Sequence, residues 1–181
     1  MLEQRIQQQF FESADLLSQT AELLSRPIAD AAQALLGCIT AGGKVLLFGS
    51  GPAAALARHG AGLLVGRFER ERPGLAALAV DGDTEVQALG APGDVLLAIS
   101  STSPPPATLL AAVTAAQDKD MTVLALTGGD AGGLLACLSE ADVHIAVPHE
   151  RAARIFEAHT LVLHCLCDAV DLQLLGEQEP T

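Results

Sequence analysis

The densest store of polar chemistry in the chain is Ser100, Ser101, Thr102 and Ser103, four hydroxyl residues in succession, followed at once by Pro104, Pro105 and Pro106. The apolar run Val95 to Ile99 leads into them and reads as a buried strand. Hydroxyls placed where a strand hands over to a helix would share their position with free backbone N–H groups and a positive helix end. That combination suits an anion at the carboxyl end of a strand. Gly49, Ser50 and Gly51 repeat the arrangement after Lys44 to Phe48, with Pro52 suited to a first helical position. A lone Gly-x-Gly is common in α/β proteins, and both stretches would also serve as capped turns. His59 stands among Ala, Leu and Gly and reads as a core or interface histidine. His159 and His164 share one helical stretch but lie about 140° apart around it, so they cannot act as one pair there. Cys38, Cys137, Cys165 and Cys167 read as small core residues, and Cys165 and Cys167, about 200° apart on a helix, cannot share a metal.

These residues need a frame, and the pattern supplies one. Leu2 to Leu24 has helical spacing, Pro27 opens a second, Ala-rich helix over residues 27 to 41, and Gly42 and Gly43 end it. Buried strands are expected at 44–48, 75–80, 94–99, 121–126 and 142–147, with helices at 52–64, 106–119 and 150–174. Arg67 to Pro73 is an alternating charge run, read as a solvated connection whose arginines could rim a phosphate site in a neighbouring subunit. Residues 81 to 93 form a minimal crossover with room for two helical turns. The alternation predicts an α/β protein: a three-layer αβα sandwich with a five-stranded, mostly parallel sheet, preceded by two N-terminal helices. It divides as one domain over 1–181, with oligomerisation helices at 1–42, the core at 43–175 and a polar, frayed tail at 176–181.

Composition narrows the partners. With 181 residues, half of them hydrophobic, the chain has enough apolar material for one sizeable core. A net charge of −12, no Trp and no Tyr argue against direct binding of nucleic acid or anionic lipid. A Gln-rich start, Met1 to Phe10, is not a secretory leader, and no apolar stretch approaches the ~20 residues of a membrane span. The expected location is the cytoplasm.

Several segments together are more specific. Lys44 to Gly51, Gly66-Arg67-Phe68, Glu71-Arg72-Pro73, Gly93 to Leu97 with Ile99-Ser100, Leu126-Thr127-Gly128, Val147-Pro148, and Arg154-Ile155 with Glu157 and His159 resemble a sugar isomerase (SIS) domain. Within that class the chain is similar to the phosphoheptose isomerases and to the initiator-associating proteins (DiaA) that bind the replication initiator DnaA; His164 to Asp168 looks nearer the second group. The resemblance implies a homotetramer built partly on the N-terminal helix and a phosphosugar site between subunits. It also implies ligand contacts from Gly49, Ser50, Gly51, Ser100, Ser101 and Thr102.

Departures from the family pattern shape the expected function. Gly-Asn-Gly-Gly-Ser of the family is Gly49-Ser50-Gly51-Pro52-Ala53 here, and Ser-Thr-Ser-Gly-Asn-Ser is Ser100 to Pro105. The isomerase glutamate, one turn after a histidine, is Leu63 after His59, and the glutamine eight positions before His164 is Phe156. Zinc-binding members use those four positions, so no metal or other cofactor is expected. The 81–93 crossover also lacks what looks like a whole helix. The first expectation is therefore a non-catalytic phosphosugar-binding protein of the DnaA-associating type, regulating replication initiation, with Leu174 and Leu175 in the partner surface and His59 and His164 as remnants. The alternative is a phosphoheptose isomerase acting on sedoheptulose 7-phosphate, with an acid or base drawn from Asp81, Asp83 or Glu85. A phosphosugar sensor without chemistry is the third reading.

Overall fold

Strand residues alternate between two apolar faces, and this builds the molecule. The computed structural model describes residues 1–177, so the end of the expected tail lies outside the described residues. Strands β1 (Val45–Gly49), β2 (Ala77–Val80), β3 (Val95–Ile99), β4 (Thr122–Thr127) and β5 (Val143–Ala146) form one parallel sheet in the order β2-β1-β3-β4-β5. Val45, Leu47, Val95, Leu97, Ile99, Leu124, Leu126 and Ile145 face one core, while Leu46, Phe48, Leu96, Ala98, Val123 and Ala125 face the other. Both faces are covered, which is why these strands read as unbroken apolar runs.

The first core is roofed by α1 (Leu2–Thr40), α2 (Ala54–Val65) and α5 (Ala152–Leu175). α3 (Asp83–Leu89) and α4 (Ala107–Gln117) cover the second. Only the fourteen residues 81–94 join β2 to β3, and the seven-residue α3 buries Val86 but leaves Leu78 of β2 47% exposed.

Where two N-terminal helices are expected, one continuous 39-residue helix runs through Pro27. Proline removes one N–H and crowds the carbonyl four residues back, a cost of about 3 kcal/mol in a helix interior. Here that carbonyl belongs to Leu23, on the solvent side, where water can donate a hydrogen bond to it. Burial of Leu16, Thr20, Ala31, Ala32, Leu35 and Cys38 on both sides of the proline favours continuity. Two further readings need correction. α5 is long and apolar enough by composition to cross a membrane, contrary to the expectation that no stretch is, yet it packs as a core helix with Arg154, His159 and Asp171 among its buried residues. Cys38 and Cys167 are core thiols and Cys137 is half-buried, but Cys165 is exposed, because α5 turns it away from Cys167.

At the amino ends of the strands Asp94 fastens β1 to β3. Its carboxylate accepts hydrogen bonds from the Lys44 N–H (2.9 Å), the Ala91 N–H (2.9 Å) and the Lys44 ammonium. Burial pushes this carboxyl up, but the Lys44 side chain and the two amides outweigh it and hold the group below the ordinary carboxylate range. Asp94→Ala is expected to cost about 1–3 kcal/mol at neutral pH by leaving buried donors unpaired. Urea titration checks this. Because the folded-state pKa is lowered, the contribution is present above the carboxylate range and lost as the pH falls through it, so the deficit of the variant shrinks in acid.

Candidate functional site

A sheet ordered 2-1-3-4-5 reverses its winding between β1 and β3, and the crevice outside the carboxyl ends of those strands is where such sheets bind ligands. Both hydroxyl-bearing turns of the sequence lie there. Gly49 closes β1, and a Cβ at this position would fall 2.1 Å from the Ala53 carbonyl oxygen, so only glycine lets the chain turn this tightly. Gly51 has φ +55° and opens a 3-10 turn, Gly51–Ala53, that runs into α2. Ser50 is held against β3 through its N–H, which donates to the Ile99 carbonyl at 3.0 Å.

After β3, Ser100 is fully buried and ties the loop, its Oγ lying 2.9 Å from Thr102 Oγ1 and accepting the Thr102 N–H at 3.2 Å. Ser101 is buried beside it and Thr102 is exposed. Ser103 faces away, accepting the Asp130 N–H at 2.8 Å. The prolines precede α4, which starts at Ala107 with Pro106 as its cap residue and no side chain satisfying its first N–H groups. Between the turns lies a cavity of about 290 Å³ lined by Ser50, Gly51, Pro52, Thr102, Pro106 and Thr108. Two helix starts converge on it, and none of the six lining residues is acidic in a chain of net charge −12. An anion therefore meets donors and positive helix ends without a competing carboxylate.

The acid–base groups are on the helices behind. His59 of α2 and His164 of α5, 105 positions apart in sequence, meet with their Nε2 atoms 3.1 Å apart and their rings edge to face. Phe68 lies against His164 with ring centroids 5.3 Å apart. In a neutral pair one Nε2 donates and the other accepts, so the couple offers one acid and one base side by side. His59 is exposed and His164 half-buried, so the couple is open to solvent. His59 stands five residues into α2, about 8 Å along the helix from its start at the anion crevice.

Leu63 is half-buried one turn on, and Phe156 packs against the core. Two imidazoles among His59, Leu63, Phe156 and His164 do not make the four-donor set that zinc takes, so no step below runs through a metal. Of the carboxylates offered as a replacement base, Asp81, Asp83 and Glu85 are exposed around α3, and Glu85 already accepts the Asp81 N–H at 2.7 Å. Leu174 and Leu175 are part-exposed at the far end of α5.

A third histidine is of another kind. His159 is fully buried, with Nε2 3.1 Å from the Thr127 carbonyl oxygen and Nδ1 without a partner, and burial lowers its pKa to about 4. It is a neutral core group. His144, on β5, packs Nε2 2.8 Å from Thr127 Oγ1, and burial lowers its pKa as well.

The sequence reading missed Arg72. Placed in a solvated charge run, its side chain is 1% exposed and paired with the equally buried Asp171, while its neighbours Glu69 and Glu71 are exposed. The sequence signals were its place in the Glu71-Arg72-Pro73 segment of the family resemblance and the proline and glycine that follow it, which return the chain toward α2.

The SIS domain family model matches residues 9–128, two thirds of the chain. The chain belongs to the SIS domain family. A protein named phosphoheptose isomerase from Methylibium petroleiphilum is 62% identical over an alignment covering all of this chain and 99% of its own length, and one from Aromatoleum aromaticum is 45% identical with 97% of each covered. The first alignment spans 199 positions against 181 residues, so at least 18 have no counterpart in this SIS domain. Among solved structures, the phosphoheptose isomerase of Neisseria gonorrhoeae superposes with TM-score 0.86 at 37% identity, covering 94% of this chain and 99% of that one. The phosphoheptose isomerase of Francisella tularensis gives 0.88 at 36%, covering 94% and 98%.

These relatives overturn the expectation of a non-catalytic, DnaA-associating regulator of replication, and with it the leaning against an enzyme. The error was to treat Leu63 and Phe156 as silencing the SIS site. The loss of a carboxylate removes one acid–base group, but the fold brings two others into contact.

Proposed function

We propose that the chain is a phosphoheptose isomerase, interconverting sedoheptulose 7-phosphate and the manno-heptose 7-phosphate. The contact between His59 and His164 carries this reading, supported by full-length similarity to proteins of that name. Isomerisation moves one proton between adjacent carbons and needs a base and an acid held together. When substrate enters between the two imidazoles and breaks their contact, the Nε2 lone pair set free takes a proton from C1 of the ketose, while the released Nε2–H of the partner hydrogen-bonds the C2 oxygen and steadies the enediolate. Return of that proton to C2, with the C1 hydroxyl proton passing to the C2 oxygen as the C1 oxygen becomes the aldehyde, gives the aldose, and no atom is gained or lost.

Gly49, Ser50, Gly51, Ser101 and Thr102 form the phosphate cradle, with Ser100 bracing it. Copies of the chain assemble through α1, whose Leu2, Ile6 and Phe10 are exposed at four-residue spacing on one face. Four cysteines free of disulfides suit the cytoplasm.

The test is incubation of the purified protein with sedoheptulose 7-phosphate, with aldose formation followed by NMR and binding by titration calorimetry. Turnover is expected, and Ser101→Ala is expected to weaken binding about tenfold through loss of one phosphate hydrogen bond. Binding without turnover would overturn the proposal.

A further inference from the structure

The two catalytic histidines ride on different helices, so something must fix α2 against α5. Arg72 stands at that junction. Its guanidinium donates to the Leu63 carbonyl at 3.0 Å, to the Leu64 carbonyl at 2.8 Å and to the Gly66 carbonyl at 3.2 Å, filling the open carboxyl end of α2. The same group donates through Nε to Asp171 of α5, and both side chains are 1% exposed. Leu63 lies one turn beyond His59, and Asp171 two turns beyond His164 on the same face of its helix. A single planar group therefore grips both helices, about 6 to 10 Å from the point where the histidines touch.

We propose that Arg72 and Asp171 form a positioning clamp that sets the His59–His164 contact, an inference that rests on the isomerase reading. Stability alone does not account for the pair. Buried ion pairs rarely gain over apolar residues of similar size, and Asp171 Oδ2 is left buried without a partner. A clamp earns its place by geometry: a misplacement of about 1 Å between reacting groups lowers rates about 100-fold.

Two variants test this. Arg72→Lys keeps a cation for Asp171, but an ammonium cannot fork onto the carboxylate and three carbonyls together. The double variant Arg72→Met with Asp171→Leu removes both charges at once, a change that buried ion pairs commonly tolerate. In each, kcat is expected to fall at least tenfold with KM for the heptose phosphate within twofold of wild type, because the phosphate cradle is untouched. The hydrogen-bonded imidazole signal of His59 and His164, read by NMR of 15N-histidine-labelled resting protein, is expected to disappear. Retention of both kcat and that signal in either folded variant overturns the clamp. If the double variant does not fold, Arg72→Lys alone decides.

Should the wild type show no turnover, the isomerase reading falls by itself, and the imidazole signal still decides the clamp. Its loss in Arg72→Lys supports the clamp, and its persistence refutes it.

Discussion

His164→Asn and His59→Gln are each expected to lower kcat for heptose phosphate isomerisation by about 10²- to 10⁴-fold, the range that a positioned acid–base group contributes. Each removal does double damage. It takes away one proton-transfer group and strips the other of the hydrogen bond that fixes its tautomer. Neither change should unfold the protein, since His59 is exposed and His164 half-buried, so the melting temperature should stay close to that of wild type. Steady-state kinetics of the two single variants and the double variant check the reading. A couple acting as one unit gives a double variant little worse than either single, whereas independent groups would multiply their losses.

Acid should weaken the fold through His159 before the carboxylates take part. Buried and neutral, with a pKa lowered from 6.5 to about 4, it refuses a proton that the unfolded chain accepts. Stability is therefore fully present above pH 6.5, declines as the pH falls from 6.5 towards 4, and loses no more on this account below that. Two and a half pH units correspond to about 3 kcal/mol, a large fraction of a typical domain's stability. Urea unfolding at intervals between pH 7.5 and 4 measures the slope. In His159→Gln the slope over that window should flatten, although the variant starts from a lower stability. An unchanged slope would mean that His159 is not the group that titrates.

Much of the frame could be read from residues alone. Val95 to Ile99 and Val45 to Phe48 are apolar at every position because helices cover both faces of the sheet, and a fully buried parallel strand has no polar phase to confuse the reading. The hydroxyl turn after β3 was legible for a related reason: short-range chemistry, a strand end followed by prolines, placed it. Pro27 misled because the cost of a helical proline depends on which way the freed carbonyl faces, a tertiary fact. Arg72 misled in the same way, since a charge among charges looks solvated until α5 brings Asp171 to it. The histidine couple was visible only through the resemblance, which puts residues 59 and 164 among the same four positions. Nothing local ties residue 59 to residue 164, and only the packing of α2 on α5 makes them neighbours. Expectations drawn from Leu63 and Phe156 counted what had been lost along the chain and could not count what folding brought together.

With fourteen residues between β2 and β3, and half of them in a seven-residue helix, that connection holds no flap long enough to swing over the crevice. A sugar phosphate would enter and leave by diffusion through an open mouth. Its residence time would then be set by the grip of the crevice floor on the phosphate, with nothing from that connection to hold it in.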